Sequence, residues 1–297
     1  MAWTKDQLEA AIDDWKSTLV EEGRAPGTIT TYVGDARRFL HWLTGQQPTR
    51  VRPSRYRTSA APAGARLGRR RVGALIPAPE PLRALVGVWA DGPKNTQKGI
   101  AWPRHRWAAA FPDHADVLRR LPDRLDRAAV RHVAQRASET PAVAEAAFVV
   151  ILTWGFGRVG YGPHRTRRVL DSTPQSADLL HAVARTLADD GAVAAYRRLA
   201  GDCRLRFLGP AFGTKYLAFC QPANTEPVAL IHDALVSAWL ARHGRPDLTA
   251  ATWSVPMYEA YLDQLHRWSV ELAVHPETIE FLIFQDEATR QGNQWSE

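Results

Sequence analysis

Apolar residues recur every three or four positions along most of the chain, which is the spacing of one face of an α-helix. At the N-terminus, Thr4 and Gln7 have the spacing of a capping box, so we expect a helix to begin there. Further helices are predicted at residues 28–43, 141–153, 176–187, 192–200, 234–240 and 258–272. Because no run alternates convincingly between apolar and polar residues, the pattern predicts a mainly α fold.

The positive charge is distributed unevenly. Lys and Arg outnumber Asp and Glu by 38 to 31, and the pI is near 9.7. Eight arginines and no acidic residue lie between residues 46 and 79, so the rest of the chain has a net charge of −1. This proline-rich stretch is interpreted as a linker whose Arg69, Arg70 and Arg71 contact DNA phosphates. A solubilising tether without DNA contacts is the alternative.

Composition excludes several classes of protein. Two cysteines do not make a disulfide framework, and no window of 18 apolar residues predicts a membrane span. The acidic N-terminal segment is unlike a signal peptide, so we expect a cytoplasmic, monomeric protein with no membrane partner. The ten histidines show no spacing typical of metal ligands, and we predict neither a catalytic metal nor a cofactor.

The segment LVEEGRAPGTITTYVGDARRFLHWL, at residues 19–43, resembles the SAM-like core-binding domain of phage integrases and other tyrosine recombinases. Three features are shared. The first helix ends with Leu and Gly, the second begins with a Thr-x-x-Tyr motif, and the second ends with a Phe-Leu-x-Trp-Leu motif. Since that domain clamps DNA, the resemblance implies a DNA-binding module at residues 1–45, ahead of the linker at 46–79. A generic helical hairpin is the alternative.

The candidate chemistry lies between residues 204 and 240. A helix leads to a tight turn at residues 209–213, and a second helix is predicted to begin at Thr214. Lys215 then has apolar neighbours, and burial would lower the pKa of its amine and make it a nucleophile. Asp233 immediately precedes another helix, whose N–H groups would keep it ionised and able to stabilise a positively charged sugar. Prolines at 222 and 227 predict a turn that returns Asp233 to Lys215.

A hairpin, then Gly-Thr-Lys, then an Asp eighteen residues later resembles the helix–hairpin–helix DNA glycosylases, and within them the bifunctional 8-oxoguanine (OGG-fold) branch. The resemblance implies that Lys215 attacks the sugar carbon C1′ and that Asp233 acts as acid/base and cation stabiliser. It implies a glycosylase domain at residues 80–297. It also implies that a hairpin grips DNA phosphate, formed by Leu208, Gly209, Pro210, Ala211, Phe212 and Gly213. Ala211 departs from the family pattern, which has glycine there.

Aromatic residues elsewhere are candidates for a base pocket. Phe219 follows Lys215 by one helical turn and is expected to stack on an extruded base, with a core position as the alternative. The glycine-rich segment at 154–168 is predicted as a loop that carries pocket residues and phosphate contacts, or as a simple helix connection. The remaining candidates are Trp154, Phe156, Phe281 and Gln285 for the pocket, and Arg165 and Arg167 for DNA.

Together these residues predict a DNA glycosylase that flips out and excises a modified base from double-stranded DNA, with strand nicking by an AP-lyase step. The base is either a hypermodified base of phage DNA or an oxidised guanine, and the role is antiviral defence or DNA repair. If only hydrolysis occurs, Asp233 activates water. A tyrosine recombinase, suggested by His164-x-x-Arg167, and a non-catalytic DNA-binding protein are the alternatives; no tyrosine lies beyond Tyr261 to act as a recombinase nucleophile.

Overall fold

The computed structural model describes residues 4–21, 29–30, 32–34, 36–37, 40, 73–91, 97–223 and 225–292. Contacts divide the chain into two compact units, residues 1–69 and residues 70–297. The predicted DNA contacts at Arg69, Arg70 and Arg71 lie outside the described residues.

The smaller unit begins with helix α1 (Lys5–Glu21). The Thr4 amide donates to Gln7 Oε1 at 2.9 Å and the Gln7 amide donates to Thr4 Oγ1 at 3.3 Å, which confirms the predicted capping box. The described residues from 29 to 40 are also helical. Leu19, Ile29 and Val33 are buried together, so a small apolar contact joins the two helical segments.

The larger unit is mainly α, as predicted. Its helices are α2 (Glu80–Asp91), α3 (Arg104–Ala110), α4 (Ala115–Arg120), α5 (Arg127–Ala134), α6 (Pro141–Phe156), α7 (Gly162–Asp171), α8 (Ser176–Ala200), α9 (Pro210–Cys220), α10 (Ala234–Arg242), α11 (Val255–Leu272) and α12 (Pro276–Arg290). A 3₁₀ turn covers Pro112–His114. The strands of the described residues, β1 (Ile100–Ala101) and β2 (Arg124–Leu125), form one short antiparallel pair in which Ile100 faces Leu125.

Helix α6 is the centre of the larger unit and packs most extensively on α8 and then on α5. Thr140 caps it by accepting a bond from the Val143 amide, and its residues are buried on nearly every side. The predicted helix at 141–153 is confirmed and extends three residues further. Trp154 and Phe156 therefore lie in its last turn, not in the predicted loop, which begins at Gly157 with a φ of +52°.

Helix α9 begins at Pro210 and not at Thr214, which corrects the expected boundary. Proline suits the first position of a helix because its missing N–H would have no intrahelical partner there. The predicted turn at 209–213 is thus the start of the helix, and the connection from α8 runs over residues 201–209. Lys215 consequently lies in the second turn of α9.

Helix α8 combines the two predicted helices at 176–187 and 192–200. They are separated by a kink at Gly191, whose φ of +84° is readily adopted only by glycine. Gln175, in the left-handed conformation, is the N-cap of this helix, so Ser176 is its first residue.

The end of the predicted linker belongs to the larger unit. The Ile76 amide donates to Gln264 Oε1 at 3.0 Å, and the Ile76 carbonyl accepts from Gln264 Nε2 and Trp268 Nε1. The Ala78 amide donates to Glu271 Oε2 at 3.0 Å. Residues 73–79 are therefore fastened to α11, and the unit extends N-terminal of residue 80.

Candidate active site

A cavity of about 120 Å³ lies among helices α5, α6, α9, α10 and α12. This is several times the space that one water molecule needs. Four of its lining side chains are ionisable, which is unusual for an interior wall. The cavity is lined by Gln97, Arg127, Trp154, Gly155, Lys215, Ile231, Asp233, Leu235, Glu280 and Phe284.

Lys215 and Asp233 form a buried ion pair in the wall of this cavity. The Lys215 Nζ lies 2.9 Å from Asp233 Oδ2, and the two side chains are only 11% and 14% exposed. The other carboxylate oxygen, Oδ1, accepts from the amides of Leu235 and Val236, so Asp233 is the N-cap of α10 as the sequence predicts. The proximity of the two side chains agrees with the sequence, whereas their catalytic roles stay predictions.

The ion pair controls the protonation of Asp233. Burial by itself would raise the pKa of the Asp233 carboxyl, but the Lys215 ammonium and the Val236 amide hold that pKa below its ordinary value. An amine forms a bond to carbon only through a free lone pair, so a proton must pass to a neighbouring group before Lys215 can act as a nucleophile.

Hydrogen bonds fasten the segment that carries Asp233. Thr214, the residue before Lys215, accepts from the His232 amide at 3.0 Å. Two tyrosines of α11 hold the same segment from the other side, since the Tyr258 hydroxyl donates to the Leu230 carbonyl and the Tyr261 hydroxyl to the Ile231 carbonyl. The Gly-Thr-Lys sequence therefore positions both members of the ion pair.

Gln221 organises the turn between α9 and this segment. Its Nε2 donates to the carbonyls of Thr225 and Pro227 at 3.1 and 3.0 Å, and its Oε1 accepts from the Ala229 amide. The turn predicted from Pro222 and Pro227 is thus held by one buried side chain, which returns the chain to Lys215.

A second buried ion pair, between Arg127 and Glu280, lines the same cavity. The two guanidinium Nη atoms lie 2.7 and 3.2 Å from the two carboxylate oxygens, and Arg127 Nε donates to Gln97 Oε1 at 3.0 Å. The guanidinium also lies over the rings of Trp154 and Phe281, at 5.7 and 5.8 Å from their centroids. Both aromatic contacts fix the plane of the arginine.

Burial and the attraction between the two charges oppose each other in this second pair, and a different one of them prevails at each residue. Burial raises the pKa of the Glu280 carboxyl above its ordinary value even though Arg127 opposes the shift. For Arg127, burial lowers the pKa, but Glu280 overrides that effect and the net shift is upward. An arginine does not release its proton under ordinary conditions, so Arg127 remains positively charged in this pair.

The predicted pocket residues divide between the cavity and its surroundings. Trp154 lines the cavity, and Phe219 is buried behind it with the ring centroids 4.9 Å apart. Phe156 packs on Phe212 at 4.6 Å and does not line the cavity. Phe281 contacts Arg127, and the half-buried Gln285 also lies outside the lining. Their roles toward a base stay predictions.

The residues of the predicted hairpin differ in their exposure to solvent. Gly209 is exposed and Ala211 and Phe212 are half-buried, whereas Leu208, Pro210 and Gly213 are buried. A Cβ on Gly213 would collide with the Trp253 ring, so close helix packing requires glycine there.

The predicted phosphate contacts on α7 have different environments. Arg165 is exposed, whereas the Arg167 guanidinium donates to the Ala110 carbonyl at 3.1 Å and pairs with Asp171 at 3.2 Å. Arg167 is therefore already engaged in contacts within the protein. His164, the other member of the proposed recombinase motif, is exposed on the same helix and does not line the cavity.

An exposed aromatic residue that the sequence analysis missed precedes the hairpin. Phe207 is 45% exposed and has a φ of +65°, which is rare for a bulky side chain. Arg168 lies over its ring at 3.8 Å and Arg206 at 5.6 Å. Its sequence context, an aromatic residue immediately after Arg206 and three residues after Arg204, was the available signal.

Several cavity residues were also missed. Glu280 lies in the apolar run TIEFLIF, and a carboxylate on the buried face of a helix is the signal that identifies it. Gly155 permits a close approach, because a Cβ there would lie 2.8 Å from the Phe212 ring and 3.4 Å from Lys215 Cδ. Arg127 and Gln97 carry no distinctive local pattern, since they meet the site only through tertiary packing.

Neither a metal site nor a membrane-spanning helix is found among the described residues. In the part of the chain that the structure describes, no group of three or more His, Cys, Asp or Glu residues is arranged to hold a metal ion. None of the described helices has the length and apolar character needed to cross a membrane.

The comparisons with known proteins give one match. A family model described as "OGG: Putative 8-oxoguanine DNA glycosylase OGG-like protein" matches residues 93–284, which is more than half of the chain and includes every residue that lines the cavity. No curated protein and no solved structure matches the chain significantly.

Proposed function

The chain belongs to the OGG-like family of DNA glycosylases, and we propose that it excises a modified base from double-stranded DNA by attack of Lys215 on the sugar carbon C1′. The observation that carries the proposal is the 2.9 Å contact between the buried Lys215 amine and the Asp233 carboxylate in a cavity wall. An amine beside a fixed carboxylate combines a nucleophile with a group that stabilises positive charge.

In the first step, the Lys215 ammonium gives one proton to Asp233 Oδ2, which already accepts its hydrogen bond. The Nζ lone pair then forms a bond to C1′ while the bond from C1′ to the base breaks. The base leaves with the electron pair of the broken bond and takes up the proton from Asp233 as it departs. Because Asp233 becomes a carboxylate again in this step, it stabilises the positive charge that develops on the sugar.

The covalent sugar–lysine adduct supports a subsequent lyase step. The ring oxygen O4′ takes up a proton as the ring opens, and C1′ and Nζ then share a Schiff base. Loss of a proton from C2′ expels the 3′ phosphate by β-elimination and nicks the strand. Hydrolysis of the remaining Schiff base returns Lys215. The alternative is simple hydrolysis, in which Asp233 activates a water molecule and no lysine adduct forms.

DNA binding is proposed for three parts of the chain. In the larger unit, exposed Arg165 and the cluster of Arg168, Arg206 and Phe207 provide positive charge and an aromatic surface beside the hairpin. In the smaller unit, residues 1–45 are proposed as the accessory DNA-binding module. The arginine-rich linker at residues 46–79 adds contacts that depend on salt concentration.

The base belongs to one of two proposed classes: a hypermodified base of phage DNA, which would make the protein an antiviral enzyme, or an oxidised guanine, which would make it a repair enzyme. The experiment is to incubate the protein with oxidised cellular DNA and with phage DNA that contains hypermodified bases. Released bases are then identified by mass spectrometry.

We expect release of one modified base and no measurable release of the four ordinary bases. The Lys215→Ala variant should release none. A wild-type protein that binds these DNAs but releases no base, or that releases ordinary bases equally fast, would contradict the proposal. A variant that releases the modified base as fast as wild type would replace the covalent route by hydrolysis.

A further inference from the structure

Phe207 lies at the surface on a firmly anchored backbone. Among the phenylalanines that the structure describes, it is the one that is exposed, and it lies in the connection between α8 and α9. Its neighbours Leu205 and Leu208 are buried, and the Leu208 amide donates to the Leu205 carbonyl at 3.3 Å. The Arg206 amide donates to Thr173 Oγ1 at 2.9 Å. A fixed turn therefore holds the ring in place.

The backbone conformation of Phe207 is unfavourable for its side chain. At a φ of +65° the Cβ atom crowds the backbone carbonyl oxygen, and glycine or asparagine would adopt this conformation at lower cost. Burial of the ring does not compensate for the strain, because 45% of the residue is exposed to solvent. A strained residue that the hydrophobic core does not use is typical of a surface that binds a ligand.

Two guanidinium groups flank the exposed ring. The Arg168 guanidinium carbon lies 3.8 Å from the ring centroid, and that of Arg206 lies 5.6 Å from it. Neither arginine forms an ion pair with a carboxylate of the described residues. The two charges attract an anion, and the exposed part of the ring offers an apolar surface to a planar group. A nucleotide with an unstacked base matches both features, because it combines a π face with a phosphate.

We propose that Phe207, Arg168 and Arg206 form a stacking site for an unpaired base of the bound DNA, separate from the cavity that receives the excised base. None of the three residues lines that cavity. In a fully paired duplex the neighbouring bases cover each base face, so the site favours DNA with an unpaired stretch, such as a bubble, a gap or a frayed end. The inference rests on the proposed function, because it takes DNA as the ligand.

The test compares oligothymidylate with an oligomer of the same length built from tetrahydrofuran nucleotides, which keep the phosphates but have no bases and form no Schiff base. A fully paired duplex of ordinary bases is the third probe. Dissociation constants are measured at one salt concentration, because phosphate contacts depend on salt. The variants are Phe207→Asn, which tolerates a positive φ, Phe207→Tyr, which keeps the ring, and the control Val270→Asn at an exposed position of α11.

We expect Phe207→Asn to bind oligothymidylate about 10-fold more weakly than the wild-type protein does. Its affinity for the tetrahydrofuran oligomer and for the paired duplex should be unchanged. Phe207→Tyr and Val270→Asn should bind all three probes as the wild-type protein does. An unchanged affinity of Phe207→Asn for oligothymidylate would overturn the inference. An equal loss of affinity for the tetrahydrofuran oligomer or for the paired duplex would also overturn it.

Thermal unfolding distinguishes a binding surface from a structural role of the ring. Phe207→Asn relieves the backbone strain, so it should melt at the wild-type temperature or above it. A melting temperature several degrees below that of the wild-type protein would show that Phe207 supports the fold, and it would contradict the inference.

A separate readout distinguishes failure of the inference from failure of the proposed function. At saturating protein concentration, Phe207→Asn should form the lysine adduct on an abasic duplex as well as wild type does, because the stacking site lies outside the cavity. Adduct formation by both proteins, with equal binding of oligothymidylate, would remove only the stacking site. Absence of any adduct with the wild-type protein, with the preference for oligothymidylate intact, would remove only the lysine mechanism.

Discussion

The two ion pairs of the cavity have the same charges and similar burial, but they are built differently. Lys215 contacts Asp233 through a single bond, and Asp233 uses its other oxygen as a helix cap. Arg127 contacts Glu280 through two bonds, and Gln97, Trp154 and Phe281 restrict it further. One pair has a compact ammonium that makes a single bond to its carboxylate, whereas the other has a rigid planar cation.

The difference indicates which pair can perform chemistry. A lysine can pass a proton to an adjacent base and then act as a nucleophile, whereas an arginine stays charged and only donates hydrogen bonds. The Lys215–Asp233 pair is therefore suited to a reaction and the Arg127–Glu280 pair to holding the wall of the cavity. The predictions below test this division of roles.

The largest expected effect is on stability and concerns Glu280. Glu280→Ala leaves the Arg127 guanidinium buried without its counter-ion, so the free energy of unfolding should fall by about 3–5 kcal/mol. Denaturant unfolding measures the change. Glu277→Ala, one turn away on α12, removes a partly exposed ion pair with Arg131 and should cost about 1 kcal/mol or less. Equal losses in the two variants would show that the Arg127–Glu280 pair does not hold the wall.

The next effect is on catalysis and concerns Asp233. Asparagine is as good a helix cap as aspartate, so Asp233→Asn should keep the cap of α10 and remove only the negative charge beside Lys215. Without the carboxylate, the rate of base release should fall by about 100- to 1,000-fold. The matched control is Asp126→Asn at the start of α5, where Asp126 also caps a helix by accepting from the Ala129 amide. Single-turnover rates that fall equally in both variants would exclude a specific role for Asp233.

A smaller effect concerns the space in which Lys215 lies. Gly155→Ala places a Cβ against the Phe212 ring and near Lys215, so stability should fall by about 1–3 kcal/mol and base release should slow. Gly87→Ala in α2 is the matched control, since its Cβ would meet no atom within 4 Å. That change should stabilise the helix by up to about 1 kcal/mol. Thermal unfolding of both variants measures the difference. An unchanged stability in Gly155→Ala would contradict the prediction.

The smallest expected effect is the opposite pH dependence of the two carboxyls. The folded-state pKa of Asp233 is lowered, so its contribution to stability is present above the usual pKa of about 3.9 and is lost as pH falls through the lowered value. The folded-state pKa of Glu280 is raised, so stability rises as pH falls from that raised value toward about 4.3. As pH falls, the unfolding free energy of wild type should therefore decrease relative to that of Asp233→Asn below about pH 3.9. Above about pH 4.3 it should instead increase relative to that of Glu280→Gln.

Sequence patterns were sufficient for one ion pair and not for the other. Asp233 opens a helix and Lys215 follows a Gly-Thr pair, so both have local signals, and the intervening prolines indicate a turn. Arg127 and Glu280 are 153 residues apart and meet only because α5 packs near α12. Local periodicity contains no information about such a contact.

Helix boundaries show the same limit. The apolar run at 141–153 identified the central helix, but its extension through Phe156 and the early start of α9 at Pro210 were missed. In both places glycines suggested a loop, whereas close packing of Gly155 on Phe212 and Gly213 on Trp253 keeps them inside helices. A glycine that breaks a helix and one that permits close contact look alike in a sequence.

The most direct test of the account is to trap the lysine adduct. The protein is incubated with a duplex that contains an abasic site, and borohydride is added to reduce any Schiff base to a stable amine. We expect a covalent protein–DNA product with wild type and with the exposed-lysine control Lys98→Ala, and none with Lys215→Ala. Trapping by Lys215→Ala at the wild-type level, or no trapping by wild-type protein that binds the duplex, would contradict Lys215 as the nucleophile.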